Sequence, residues 1–142
     1  MKKVLSIIII TLALFLTGCE KNRLVCTKTE EASNFKYDSK YVFVFNGESV
    51  KTATMTSTGT LSGDLNNKKS IEDYKVSAEE AAKLYNSSEG IEAAVGNKKN
   101  KVTLTVEIDP SKLSTEDKES YGVNLKKEDL KEELESLGYT CK

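Results

Sequence analysis

Three cysteines constrain what this 142-residue chain can fold into more than any other feature. Cys19 ends an apolar run that follows Met1-Lys2-Lys3, whereas Cys26 and Cys141 lie near the two ends of the remaining chain. A disulfide between Cys26 and Cys141 would hold the first and last folded segments side by side, because bridged cysteines have closely spaced Cα atoms. The role of each cysteine therefore decides much of the topology.

Residues 1–18 have the three regions of an export signal: a basic start, an apolar core over residues 4–15, and small residues before a cleavage point. As a helix, that core would extend about 18–20 Å, which is too short to span ~30 Å of bilayer hydrocarbon comfortably. Leu16-Thr17-Gly18-Cys19 is a bacterial lipobox, in which the Cys19 thiol takes a diacylglyceryl group before cleavage. Two or more acyl chains, such as palmitate, give stable anchoring. The sequence thus predicts a lipoprotein, with a plain cleaved signal or an uncleaved membrane helix as the alternatives.

Removal of residues 1–18 would leave a short tether, residues 19–22, and a single domain, residues 23–142. The removed segment contains Lys2 and Lys3, so 19 of the 21 basic residues would remain against 22 acidic ones, for a net charge of −3. This charge predicts no nucleic-acid partner and leaves membrane binding to the lipid. We expect a monomer on the extracytoplasmic side of a bacterial cell membrane, or on the outer membrane if the organism has one.

With Cys19 assigned to the lipid, Cys26 and Cys141 remain as an even pair in an exported domain, which predicts one disulfide. In the chain-entropy model, closing a loop of this size corresponds to at most about 4–5 kcal/mol. Two free thiols are the alternative. A redox pair is disfavoured because the chain has no Cys-x-x-Cys spacing to lower a thiol pKa.

Several segments have the patterns of strands. Residues 23–29 form a first strand with Leu24 and Cys26 on one face, and residues 41–45 are apolar on both faces, as in a central strand. Asn46-Gly47 predicts a hairpin turn into a Thr-rich strand over residues 48–57 with one solvated face. A second hairpin pairs residues 91–95 with residues 102–108, whose strict alternation of apolar and polar residues is the clearest in the chain.

Two helices are predicted. Ser77-Ala78-Glu79-Glu80 is a capping box that starts the first helix, whose small apolar face leads to Tyr85 and which Gly90 ends. The second covers residues 126–137, with Leu130, Leu134 and Leu137 inward and Gly138 at its C-terminal end. Residues 58–74 read as a loop with at most one short helix, residues 96–100 as a turn, and residues 110–124 as a polar loop. The expected fold is α+β, with an antiparallel sheet of five to six strands, two hairpins and two main helices.

The sequence contains few motifs that are typical of catalytic or metal-binding sites. The chain has no histidine, which removes the usual general base and the commonest metal ligand. Asp64-Leu65-Asn66-Asn67 starts like a calcium loop but lacks the later glycine and glutamate of that motif. Residues 116–119 read as a hydrated loop, and the carboxylates around the second helix read as a solvated surface. We therefore expect no cofactor, no metal and no catalytic residues.

Four aromatic residues, Tyr37, Tyr41, Phe43 and Phe45, lie on one face at a period of two. Such a row most often forms part of a core. The alternative is that Tyr41, Phe43 and Phe45 line an apolar pocket for a small ligand.

The order of these parts resembles the YehR-like family of small bacterial lipoproteins. The matching features are the lipobox at Cys19, Phe45-Asn46-Gly47-Glu48, Ala78-Glu79-Glu80-Ala81, the strand over residues 102–109, and Leu137-Gly138-Tyr139. The resemblance covers most of the chain after Cys19 and implies an α+β domain with no established activity. It adds no site residues.

The leading functional hypothesis is a noncatalytic binding or envelope-associated module whose partner is a protein or a small molecule. A carrier of small apolar ligands is the alternative, and it requires a pocket beside the aromatic row. A hydrolase using two carboxylates is third, and it requires two such groups to converge in a cleft.

Overall fold

The computed structural model describes residues 20–32, 34–62 and 68–142. The export signal, Cys19 and the calcium-like segment at residues 64–67 lie outside the described residues. Within them, six strands form one antiparallel sheet: β1 (Arg23–Ala32), β2 (Phe35–Asn46), β3 (Ser49–Leu61), β4 (Ile91–Lys98), β5 (Lys101–Ile108) and β6 (Thr140–Cys141). Their order across the sheet is β4-β5-β3-β2-β1-β6.

Three helices accompany the sheet: α1 (Lys68–Tyr85), α2 (Thr115–Ser120) and α3 (Lys127–Ser136). Short 3-10 helices cover Glu20–Asn22 and Pro110–Lys112. The predicted α+β class, antiparallel sheet and two main helices, α1 and α3, are confirmed. No helix in the described ranges has both the length and the apolar character needed to cross a bilayer.

The helices cover one face of the sheet, which holds the core. Alternate residues of β5, at 102, 104, 106 and 108, are all buried, as their alternation predicts. The best-buried side chains of the core come from β1 and β5 and are Leu24, Cys26, Val102 and Val106. On the helices, Ala78, Ala82, Leu130 and Leu134 are buried. Leu137, predicted to point inward, is 58% exposed, because α3 ends at Ser136 and the backbone of Leu137 already belongs to the cap.

A β-bulge on β3 sets which of its residues face the core. Val44 lies opposite Thr52 but Phe45 lies opposite Val50, so Lys51 is the extra residue. The bulge lets Val50 and Ala53, three positions apart, both turn inward. From Thr52 onward the even-numbered threonines consequently face away from the helices.

The segment predicted to be a loop, residues 58–74, is mostly regular structure. β3 continues to Leu61 because Thr58 and its successors pair on both sides, with β2 and β5. α1 already runs from Lys68, so the predicted start at Ser77 is wrong: the Ser77 hydroxyl lies mid-helix and donates to the Asp73 carbonyl at 3.0 Å. The helix ends at Tyr85, not at Gly90, which has φ +85° just before β4.

Several other boundaries differ from prediction. β1 extends to Ala32 and β2 already begins at Phe35, so both strands are longer than predicted. The β4–β5 turn is shorter than residues 96–100, since β4 continues to Lys98 and Lys99 takes a φ of 55°. The polar loop over residues 110–124 contains α2, which includes the supposed hydrated loop at residues 116–119. Ser114 is the N-cap of α2: its hydroxyl accepts from the Asp117 backbone N–H at 3.1 Å and donates to the Asp117 carboxylate at 2.8 Å.

The predicted disulfide between Cys26 and Cys141 is confirmed. The two cysteines are register partners on β1 and β6, and Thr27 pairs with Thr140 on the next rung. Gly138, with φ +88°, turns the chain out of α3 as predicted, so that Tyr139 leads into β6. The two ends of the described chain therefore lie side by side.

Candidate ligand pocket and the open face of the sheet

A pocket of about 290 Å³ lies on the covered face of the sheet, where strands from its middle meet the C-terminal ends of α1 and α2. We call it the tyrosine pocket. Its lining residues are Tyr41, Phe43, Ala53, Thr54, Met55, Tyr85, Val106, Ile108, Ser120 and Tyr121.

Two rungs of the sheet form the floor of the tyrosine pocket. Tyr41, Met55 and Val106 are aligned across β2, β3 and β5 on one rung, and Phe43, Ala53 and Ile108 are aligned on the next. Because side chains alternate along a strand, all six point to the covered face. Ala53 has the smallest side chain of its rung, between Phe43 and Ile108.

The rim of the tyrosine pocket comes from two helix ends. Tyr85 is the last residue of α1, and Ser120 and Tyr121 are the last residue and the C-cap of α2. The Tyr85 and Tyr121 rings are 6.3 Å apart between centroids, with their planes tilted by 42°. None of the described residues that line the pocket is charged.

Tyr41 is the most perturbed titratable group of the pocket. Burial, together with the neighbouring Tyr139 and a hydrogen bond to its side chain, raises the pKa of Tyr41 to about 12. Its ring is parallel to that of Phe43, with centroids 6.1 Å apart, and meets the Tyr139 ring edge-on at 5.3 Å. Burial also raises the pKa of Tyr121. Both hydroxyls are able to donate as well as accept hydrogen bonds.

The structure separates the three aromatic residues proposed from the sequence. Tyr41 and Phe43 line the tyrosine pocket, but Phe45 does not and is 4% exposed in the core. The rung of Phe45 contains Val50 and lies beyond the end of β5 at Ile108, so the three-strand floor stops before it. The aromatic row is thus part core and part pocket.

Sequence reasoning missed the rim residues and Met55. Tyr85 was assigned to the apolar helix face, which is correct, but its position at the end of α1 also brings it to the pocket. Tyr121 falls in the predicted polar loop over residues 110–124. The available signal for α2 is Ser114, an N-cap residue type followed by two acidic residues in the first turn, and a helix that starts there indicates that Tyr121 is held in place.

Carboxylates do not assemble a recognisable acid–base site in the described part of the chain. The acidic residues of α3 are all exposed, as predicted, at positions 128, 129, 132, 133 and 135. In the described ranges no three histidine, cysteine, aspartate or glutamate residues are grouped so as to hold a metal ion.

A second cavity, of about 350 Å³, has three carboxylates among its lining residues. Glu92 and Glu107 are exposed cross-strand partners there, beside Asp109. Hydrogen bonds from the Ser111 hydroxyl and backbone N–H lower the pKa of Asp109. A general acid needs a raised pKa, so Asp109 is suited to capping the following 3-10 helix, which it does.

The face of the sheet opposite the helices, the open face, is rich in threonine. β3 contributes Thr52, Thr54, Thr56, Thr58 and Thr60, and the Thr58 hydroxyl lies 3.2 Å from that of Thr103 on β5. A groove of about 480 Å³ crosses this face, with Arg23, Lys40 and Glu107 among its lining residues. The predicted solvated face of β3 therefore exists, although Thr58 itself is 9% exposed.

Comparison of the chain with protein-family models, with curated protein sequences and with solved structures found no match.

Proposed function

We propose that this protein is a noncatalytic binding module, anchored by lipid on Cys19 to the extracytoplasmic side of a bacterial cell membrane. The observation that carries the binding role is the tyrosine pocket, which takes its walls from one sheet and two helix ends. Its volume lies near the lower end of the range typical of small-molecule sites, and such sites are mostly apolar with a few polar groups. This favours the carrier of a small apolar ligand among the hypotheses raised by the sequence.

The disulfide between Cys26 and Cys141 supports the proposed extracytoplasmic location, because disulfides persist in oxidising surroundings outside the cytoplasm. We also propose that the chain is related to the YehR-like lipoproteins. β1 begins shortly after Cys19, and Tyr41 lies opposite Cys26 on the neighbouring strand. A ligand in the tyrosine pocket would consequently be held beside β1, the strand that follows Cys19 in the sequence.

The binding role is tested by filling the pocket from its rim. Ser120→Trp places a large ring at an exposed position beside the pocket, so it occludes the site without changing the core. Ser136→Trp is the matched control, since Ser120 and Ser136 are both exposed serines that end a helix and donate to one of its own backbone carbonyls. The chain has no other tryptophan, so blue-shifted fluorescence of the Ser120→Trp variant reports that the ring has entered the pocket.

The measurement is native mass spectrometry of the lipidated protein purified from its membrane. We expect a bound small molecule in the unmodified protein and in the Ser136→Trp variant, and its loss in the Ser120→Trp variant. Equal occupancy of all three proteins, or an empty unmodified protein that also gains nothing from an extract of its own membranes, would refute the binding role of the pocket.

The anchor is tested separately. Cys19→Ala removes the thiol that would take the diacylglyceryl group, so the variant should appear in the soluble extracytoplasmic fraction. Continued sedimentation with membranes of Cys19→Ala protein that has lost residues 1–18 would contradict lipid anchoring, whatever the pocket binds.

A further inference from the structure

We infer that the tyrosine pocket binds a neutral aromatic molecule of one or two fused rings that bears a hydrogen-bonding group. This rests on the proposed function, in that the pocket is taken to be a ligand site. It goes further by naming the class of ligand from the size, charge and ring content of the lining.

The size of the pocket sets the number of rings. Its volume is about 290 Å³. An apolar cavity of about 150 Å³ holds one benzene molecule. The tyrosine pocket therefore has room for one ring with its substituents or for two fused rings, and is too small for a lipid acyl chain together with its headgroup.

The charge of the lining selects a neutral ligand. The described lining residues are uncharged, so an ammonium or carboxylate group inside the pocket would have no opposite charge to pair with. Burying an unpaired charge is costly compared with leaving it in water. The hydroxyls of Tyr85, Ser120 and Tyr121 at the rim still provide partners for an uncharged O–H or N–H group.

The lining also favours a ring over a saturated molecule. The rings of Tyr41, Phe43, Tyr85 and Tyr121 contribute to the walls, and the Met55 thioether lies on the floor beside Tyr41. Ring pairs gain from offset or edge-on geometry beyond the area that they bury, and thioether sulfur makes favourable contacts with ring edges. An aliphatic molecule of the same size would bury similar area without these contacts.

The test uses four probes and the tyrosine side-chain NMR signals of the full-length Cys19→Ala chain with its disulfide intact. Phenol and indole represent the inferred class, cyclohexanol is the saturated counterpart of phenol, and benzoate is a charged ring. The six tyrosines serve as reporters. Tyr41, Tyr85 and Tyr121 should shift, whereas Tyr37 and Tyr74, which pack with Phe35 elsewhere, should not.

We expect phenol and indole to bind at least about tenfold more tightly than cyclohexanol and benzoate, corresponding to ~1.4 kcal/mol. Ser120→Trp should weaken binding by a similar factor, and Ser136→Trp should leave it unchanged. If cyclohexanol binds as tightly as phenol, or if benzoate binds more tightly than phenol, the inferred class of neutral aromatic ligand is wrong, while the pocket remains a ligand site. If no probe shifts the NMR signals of Tyr41, Tyr85 or Tyr121, or if the Ser120→Trp variant binds phenol as tightly as the unmodified protein, the inference is overturned. Native mass spectrometry of the lipidated protein then shows separately whether the proposed binding role also fails.

Discussion

Gly59 lies on the covered face of β3, where its missing side chain makes room for two aromatic rings. A Cβ atom at this position would lie 2.7 Å from both Phe35 Cζ and Tyr74 Cε1. These rings and that of Tyr37 form a cluster with centroids 4.5–5.6 Å apart, and the Tyr74 hydroxyl lies 2.9 Å from the Ser57 hydroxyl. In the sequence Gly59 looks like an interruption of the strand. In the structure it allows α1 to pack closely on the sheet.

Gly59→Ala is expected to destabilise the protein by about 1–3 kcal/mol, because the added methyl group forces the Phe35 and Tyr74 rings to move. Gly96→Ala is the matched control: Gly96 is also in a strand, but its added Cβ would meet nothing closer than the Thr103 carbonyl oxygen at 3.9 Å. The control should change stability by no more than about 0.5 kcal/mol. Chemical denaturation with the disulfide intact measures both variants, and equal losses would show that the ring contact is not the cause.

At the scale of elements, Asn86 protects the exposed edge of the sheet. β4 is an edge strand, and the outward N–H and C=O groups of such a strand are able to pair with another chain. The Asn86 side chain accepts from the Ala93 N–H at 2.7 Å and donates to the Ala93 carbonyl at 2.9 Å. A single amide thus takes the place of a neighbouring strand at that position. It also joins the end of α1 to β4, which helps to hold Tyr85 at the pocket.

Asn86→Ala should release the backbone of Ala93, accelerate hydrogen exchange of its amide and lower stability by about 1 kcal/mol. Asn86→Asp keeps the acceptor but not the donor, so it should preserve more of the protection of the Ala93 amide. Asn97→Ala, an exposed position farther along β4, is the control and should leave that amide unchanged. Unaltered exchange in Asn86→Ala would mean that the side chain does not protect the edge.

At the scale of the whole molecule, the disulfide closes the sheet at its β1 edge. β6 has only two residues, and its cysteine is bonded to Cys26 across a sequence separation of 115. A two-residue strand forms few backbone hydrogen bonds to the neighbouring strand, so these bonds alone hold it weakly. The bridge therefore secures the end of the chain, and with it the approach of Tyr139 to Tyr41.

Reduction of the disulfide should lower the free energy of unfolding by about 2–4 kcal/mol, mainly because the unfolded chain regains the freedom of a long loop. The double variant Cys26→Ala/Cys141→Ala should show the same loss without reductant and no further loss with it. Denaturation of both lipidated proteins, each with and without reductant, measures the effect. A reduced wild-type protein as stable as the oxidised one would contradict this role.

Much of the fold follows from local patterns. The alternation of residues 102–108, the small face of α1 and the Leu130 and Leu134 stripe each depend on neighbours within a few positions, so the sequence alone predicts them. The boundaries that were predicted wrongly lie where packing in the folded protein outweighs a local sequence pattern. The capping-box pattern at Ser77 was overridden because the apolar stripe of α1 extends back through Ile71 and Tyr74, which pack on the core.

By itself, the sequence determined the α+β class, the pairing of Cys26 with Cys141, the presence of a hairpin at Gly47 and most of the inward faces of the main helices, since each follows from spacing along the chain. The turn itself lies one position later than predicted, at Gly47-Glu48, because Asn46 is still paired with Ser49. Only the tertiary structure decided the composition of the tyrosine pocket. Tyr41, Tyr85 and Tyr121 belong to different segments of the chain, and strand register and the ends of two helices bring them together. Phe45 lies in the core because its rung, which pairs it with Val50, lies beyond the end of β5. Side-chain periodicity is local, whereas a pocket forms between segments that meet only after folding.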